Sequence, residues 1–294
     1  MSVAIAVVGV MGPVLLAALA GFVLARSRSV ALSGLTDALF YVFVPALLFS
    51  TLSSSVLSPG ELGELALAAC LVCVASGALG WLVLRAQGRR SRGFLLTVMF
   101  ANNANMGISL CKLAFGDHGL ALATAYYAVA AMLTFSLGLV IASPGRAHLE
   151  MFKAPFVHAA ALGLSVRFLE IPVPKVVHAA AELLGQAAIP TMLFSLGCRL
   201  ATVELGAIGL ALQATAIRLL GGFGAGWVAV MLLGSTGMSR AVILLQASMP
   251  AAVINFVLAE KYDRDPHLVS SIIAVSILAS LVSVPILLAW LMSN

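Results

Sequence analysis

The sequence predicts an all-α polytopic membrane protein with ten transmembrane helices in two inverted five-helix repeats, of which the fourth and ninth are broken. Three observations predict this class. Hydrophobic residues make up 62% of the 294 residues and charged residues 9%, whereas a soluble domain carries about 25% charge. Ten apolar segments follow one another, parted by short polar turns, and about 20 residues per span plus short loops use up the length. Motifs of the first half return in the second. The net charge of +5 is therefore no nucleic-acid signal, because its Lys and Arg mark the membrane's cytoplasmic side.

The spans follow in order. The first runs roughly Val3–Ala25 and the second roughly Ala31–Leu52, with Asp37 and Pro45 inside it. Ser53-Ser-Ser-Val-Leu-Ser-Pro-Gly60 is a loop made of turn residues. The third span is roughly Leu62–Leu84, followed by the basic loop Arg85-Ala-Gln-Gly-Arg-Arg-Ser-Arg92. The fourth, roughly Gly93–Phe115, ends at the turn Gly116-Asp-His-Gly119. The fifth, roughly Leu120–Ala142, leads into the polar link that begins Ser143-Pro-Gly-Arg146. The remaining spans fall at roughly Phe152–Phe168, Val176–Cys198, Leu205–Leu233, Arg240–Glu260 and His267–Leu291.

Pro45-Ala-Leu-Leu-Phe-Ser50 matches Pro190-Thr-Met-Leu-Phe-Ser195, and at the same offset Asp37 falls on Glu182. Ser91-Arg-Gly-Phe-Leu-Leu96 resembles Ser239-Arg-Ala-Val-Ile-Leu244. Several matches in one order at nearly one offset indicate a duplication, 1–148 and 149–294. Five spans per half is an odd number, so the second copy sits upside down. Such inverted repeats characterise secondary transporters.

Charge sets the orientation. With the N-terminus outside, the inner loops hold Arg26, Arg28, Arg85, Arg89, Arg90, Arg92, Arg146, Lys153, Arg199, Lys261 and Arg264, and the outer loops only Arg167, Lys175 and Arg240. That bias places both termini outside. Residues 1–25 hold no basic residue, so they read as a retained first span rather than a signal peptide.

The candidate site lies in Phe100-Ala-Asn-Asn-Ala-Asn-Met-Gly-Ile-Ser-Leu110. Asn102, Asn103 and Asn105, followed by Gly107, crowd donors and acceptors into a membrane span. An unpaired amide in hydrocarbon costs roughly 2–7 kcal/mol. The amides either tie neighbouring helices together or line a substrate site in a broken helix, and a cluster ending in Gly favours the second. The ninth span supplies a partner in Gln246-Ala-Ser-Met-Pro-Ala-Ala-Val-Ile-Asn255, where Pro250 frees backbone carbonyls. Pro250 stands where the repeat places Asn102, 148 positions on. Met249, Pro250 and Asn255 therefore join Asn102, Asn103, Asn105 and Gly107 as candidate substrate-binding residues. Gln246 either joins them or bonds a neighbour. Arg218, in mid-span, balances an acid or attracts carboxylates. Asp37 and Glu182 are candidates for ion coupling, with a structural role near the span ends as the alternative. Cys70 and Cys73 have redox or metal spacing but sit in an apolar helix without a partner pair, so they read as buried thiols. No metal site, cofactor or nucleotide-binding loop is expected.

Asn102-Asn-Ala-Asn-Met-Gly-Ile-Ser-Leu110 followed by Ala114-Phe-Gly-Asp117 resembles the fourth-helix signature of the auxin efflux carrier family of membrane transporters. Ser248-Met-Pro-Ala251, Leu258-Ala-Glu-Lys-Tyr262 and the Ser- and Leu-rich last span resemble its C-terminal half. The resemblance implies that helices 1, 2, 6 and 7 form a scaffold and that helices 3–5 and 8–10 form a moving transport domain. It also implies that helices four and nine cross at the binding site and that homodimers form through the scaffold. Plant members export auxin, a carboxylate, and bacterial members are associated with small carboxylates such as malonate and malate. A bacterial inner-membrane location follows from that resemblance. The family often has Pro where this chain has Ser109, so helix four is expected to break through Asn and Gly. The reading is a secondary transporter of a small organic anion working by alternating access, with H+ or Na+ as possible coupling ions. A sodium-coupled symporter of the bile-acid carrier type and a non-transporting membrane receptor are the alternatives. An enzyme is not expected, because none of the five histidines forms a recognisable catalytic set.

Overall fold

Hydrocarbon offers the backbone no hydrogen bonds, so apolar spans must satisfy their N–H and C=O groups internally, and helices do this. The computed structural model describes residues 3–143, 154–201 and 206–293. Among them it is helical, without strands apart from one isolated bridge pair. The helices are α1 (Val3–Ser27), α2 (Leu32–Ser53), α3 (Pro59–Ala86), α4 (Arg92–Met99), α5 (Asn103–Ala142), α6 (Pro155–Phe168), α7 (Lys175–Ala201), α8 (Ile208–Leu233), α9 (Gly237–Ala247), α10 (Ile254–Lys261) and α11 (Pro266–Ser293). Seven of these described helices, α1, α2, α3, α5, α7, α8 and α11, are long and apolar enough to cross a membrane.

Local chemistry sets several ends. Ser58 and Glu61 form a reciprocal capping box at the start of α3, with Pro59 in the first turn. The Ser91 hydroxyl caps α4 by accepting from the Phe94 amide. Pro45 lies just past a widened turn of α2 at Leu39–Phe43, and its missing donor leaves the Tyr41 carbonyl in that turn without its usual partner.

The expected fourth and fifth spans meet in α5. Gly116, at φ 67° and ψ −153°, folds this segment into two limbs, 103–115 and 117–142. The fold-back shows in Gln246, whose amide donates to the Ala123 carbonyl at 3.4 Å while its oxygen lies against Gly107. A straight helix would hold positions 107 and 123 about 24 Å apart. The expected fourth and ninth spans are each in two pieces, α4 with the first limb of α5, and α9 with α10. The expected sixth span is the 14-residue α6. Residues 144–153 before it lie outside the described residues, and with them Arg146, His148, Lys153 and the boundary at 148/149, as does the loop 202–205.

The helices pack in two groups. In one, α1 lies along α7, and α2 packs on α6 and α7. In the other, α3, α4, α5, α8, α9 and α11 pack on one another. Gly21 and Gly197 let α1 and α7 approach backbone to backbone, because a methyl at either would run into the Phe194 or Ala18 carbonyl.

Candidate functional site

The breaks in the two interrupted spans meet each other. α4 stops at Met99, and Phe100–Asn102 take up non-helical backbone. α9 stops at Ala247, and residues 248–253 are non-helical before α10. The two stretches pair antiparallel at Ala101 and Ala251. The Asn102 amide donates to the Pro250 carbonyl at 2.7 Å, and the Ala252 amide to the Phe100 carbonyl at 3.0 Å. Asn102 and Pro250 are the two positions that the repeat offset matched. Pro250 itself has no N–H to leave unpaired. The Ala251 amide donates to the Ser276 hydroxyl of α11 at 3.1 Å. Asn255 uses its side-chain amide to bond the Phe100 carbonyl at 3.0 Å.

The break in helix four falls earlier than the expected Asn-Gly stretch. Asn103–Ile108 is a wide helical turn, and Gly107 is inside it. The Met106 and Gly107 amides both reach back to the Asn102 carbonyl, at 3.3 and 3.1 Å. Gly107 is there for space, since a Cβ would collide with the Gln246 carboxamide. Asn103 spends its amide between helices, donating at 2.8 Å both to the Gln246 carbonyl and to Gln246 Oε1. The interhelical role weighed for these amides thus describes Asn103 and Gln246.

Asn102 and Asn105 differ from Asn103. The Asn102 Nδ2 is buried and has no partner among the described residues. Asn105 is half-buried; its carbonyl accepts from the Ser109 hydroxyl at 2.8 Å, and its carboxamide has no hydrogen-bond partner among the described residues. Both line a cavity of about 140 Å³ with Asn103, Tyr127, Ser195 and Arg199. The first residues of α5 and α10 face the same cavity, through Ala104, Asn105, Val253 and Ile254. No backbone acceptor serves the amides of these four among the described residues. The cavity thus receives two helix N-termini, which carry partial positive charge. Among the described residues no acidic side chain lines it.

Across the breaks, the C-terminal ends of α4 and α9 are, by contrast, satisfied by a side chain. Arg218 of α8 is fully buried. Its Nη1 donates to the carbonyls of Val98 at 2.5 Å and Met99 at 3.3 Å, and its Nη2 to that of Ala247 at 2.6 Å. One guanidinium therefore caps the C-terminal ends of both α4 and α9. This differs from both sequence expectations, which gave Arg218 an acid or a substrate as partner. Backbone carbonyls hold the charge instead.

The other candidates lie apart from the cavity. Met249 is fully buried in the second break. Asp37 is exposed on α2. Glu182 is exposed on α7, accepts a bond from Gln186 at 3.4 Å, and lines a separate cavity of about 630 Å³ with Lys112, Asp117, His118 and His178. Cys70, Cys73, Cys111 and Cys198 are free thiols.

Arg199, Tyr127 and Ser195 were not singled out from sequence. Ser195 closes the repeated Pro190–Ser195 motif, and Arg199 follows one turn later on the same helix. That spacing was available as a signal. Arg199 donates to the Thr36 hydroxyl at 2.9 Å and also borders an adjoining cavity of about 290 Å³ with Glu260 and His267. Nothing local marks Tyr127, which reaches the site only because α5 folds back at Gly116.

The family model described as membrane transport protein matches residues 6–151 and 145–288. An uncharacterised transporter of Methanothermobacter thermautotrophicus is 30% identical over 268 residues, 86% of this chain and 87% of that protein. An uncharacterised transporter of Methanocaldococcus jannaschii is 24% identical over 276 residues, 88% of this chain and 89% of that protein. With seven apolar membrane-length helices, two broken spans joined at their breaks and a family match over nearly its whole length, the chain is a multi-pass member of the membrane transport protein family, the auxin efflux carriers.

Proposed function

We propose that the protein is a secondary transporter that carries a small carboxylate through the cavity at Asn102 and Asn105. One observation carries this reading. Two half-helix N-termini open on one cavity that, among the described residues, holds unpartnered amide donors, an arginine and no carboxylate. Such a site attracts an anion and offers a cation little. Asn102, Asn105 and the first amides of α5 and α10 bind the carboxylate. Asn103, Gly107, Gln246, Met249, Pro250 and Asn255 hold the two breaks in register.

The architecture in this proposal is ten helices in two inverted repeats, crossing at the paired breaks. The division of the helices into two packing groups supports elevator-type alternating access. In that scheme α1, α2, α6 and α7 stay fixed, while the group carrying both breaks moves with its substrate. The family resemblance adds a homodimer through the fixed group. The sodium-symporter alternative needs free carbonyls at the breaks. Those of Val98, Met99, Phe100, Ala247 and Pro250 already accept hydrogen bonds.

The test is thermal unfolding of the purified protein against a panel of mono- and dicarboxylates and organic cations. A carboxylate should raise the melting temperature, and Asn105→Ala should abolish the rise. Stabilisation by organic cations and by no carboxylate overturns the reading. Uptake of the stabilising carboxylate into proteoliposomes then separates a carrier from a receptor.

A further inference from the structure

Two helix C-termini that converge inside a protein create a local problem. Each carries about half a negative charge, together about one. In discontinuous-helix transporters, such ends and the unwound carbonyls beside them coordinate the coupling cation. Here the ends of α4 and α9 converge on Arg218, which holds three of their carbonyls at 2.5 to 3.3 Å. The guanidinium is fully buried and forms no ion pair with a carboxylate among the described residues. Its single positive charge matches the charge of the two ends. A slot is kept open for it, because a Cβ on Gly222, one turn along α8, would collide with both Arg218 Nη2 and the Ala247 carbonyl. Guanidinium suits the task, since its planar fork reaches two separate acceptor groups at once and stays charged at any physiological pH. An ammonium is a point charge and serves one end well.

From these contacts we infer that Arg218 is the built-in cation of the paired breaks. It occupies the electrostatic place of a coupling ion, so the substrate site is assembled without bound sodium. Arg218 does not line the cavity at Asn102 and Asn105. It is a positioning residue: by pinning the C-terminal ends of α4 and α9, it fixes the short stretches that lead into the N-termini of α5 and α10. The carboxylate arm of the test below rests on the proposed anion site, but the ligand-free arm does not.

The experiment measures thermal unfolding of the purified full chain, first without substrate. Wild-type protein should melt at the same temperature in sodium and in choline buffer of equal ionic strength. Arg218→Ala should melt lower, and millimolar guanidinium should restore part of the loss while lowering or leaving unchanged the wild type. Tetramethylammonium should restore nothing. If Arg218→Ala does not fold, Arg218→Lys carries the buffer comparison. It keeps the charge but reaches one end well, so it should melt below the wild type and equally in sodium and in choline, and guanidinium should not rescue it because the lysine fills the slot. The second arm titrates a carboxylate that stabilises the wild type. Its midpoint should be the same in both buffers and should rise at least tenfold in the variant. A sodium requirement of the wild type in either arm overturns the inference, as does a folded Arg218→Ala that guanidinium fails to rescue or an Arg218→Lys as stable as the wild type. If no carboxylate stabilises the wild type but guanidinium rescues the variant, the anion site fails and the role of Arg218 stands.

Discussion

At the scale of single residues, the three asparagines divide by what their carboxamides face. The amide of Asn103 is spent on Gln246, inside the protein. Replacing it by alanine leaves the buried Gln246 acceptors short of a donor, which costs about 1–3 kcal/mol. Asn103→Ala should therefore lower the unfolding temperature clearly. Asn105 is half-buried at the cavity wall, with no bond from its side chain among the described residues. Asn105→Ala should leave stability within about 0.5 kcal/mol. It should weaken carboxylate binding by more than tenfold, as loss of one bond to a charged group costs about 1.5–3 kcal/mol. Unfolding curves and a ligand titration on both variants check this. An Asn103 variant of unchanged stability, or an Asn105 variant of unchanged affinity, would show the division to be wrong. The sequence made the cluster conspicuous, because three amides in an apolar span violate its polarity. It could not sort them, because the partner of Asn103 lies 143 positions away.

At the scale of elements, the turns were legible and the breaks only half so. Gly116-Asp-His-Gly119 reads as a turn from its residues alone, and the chain does fold back at Gly116. Its φ of 67° with ψ of −153° lies in a region open essentially to glycine. A Cβ there meets nothing within 4 Å, so Gly116→Ala tests conformation free of any clash. It should destabilise the protein by about 1–3 kcal/mol. Denaturation in detergent measures this, and an unchanged midpoint would mean that the turn relaxes elsewhere. The break after α4, by contrast, falls on Phe100 and Ala101, which carry no turn signal. It is imposed by pairing with Ala251 and Ala252 across the molecule, so local propensity cannot reveal it. Arg218 was conspicuous as a buried charge. Its acceptors are backbone carbonyls of other helices, which side-chain chemistry does not display.

At the scale of the whole molecule, the remaining question is which end faces the cytoplasm. The described contacts sort the loops into two ends. Ser91 bonds Asp265 at 2.9 Å and Arg264 bonds the Ala142 carbonyl at 2.7 Å, so these loops share one end. Arg167 bonds the Ser55 carbonyl at 2.6 Å and His118 lies 3.8 Å from Glu61, which places those loops at the other. The first end carries the cluster Arg85, Arg89, Arg90 and Arg92 with Lys261 and Arg264, and the second is sparse in such residues. Short loops rich in Lys and Arg stay cytoplasmic, so the first end should face inward. A cysteine placed at Arg90 or at Asp117 reports this, in a background where Cys70, the half-buried native thiol, is serine. Asp117 is highly exposed and its pairing with Lys112 is a surface one, which contributes at most about 1 kcal/mol. Applied to intact cells, a membrane-impermeant maleimide should label Asp117→Cys and spare Arg90→Cys until the membrane is opened. Labelling of Arg90→Cys from outside would invert the molecule, and with it the side to which the Arg199 and Glu260 cavity opens.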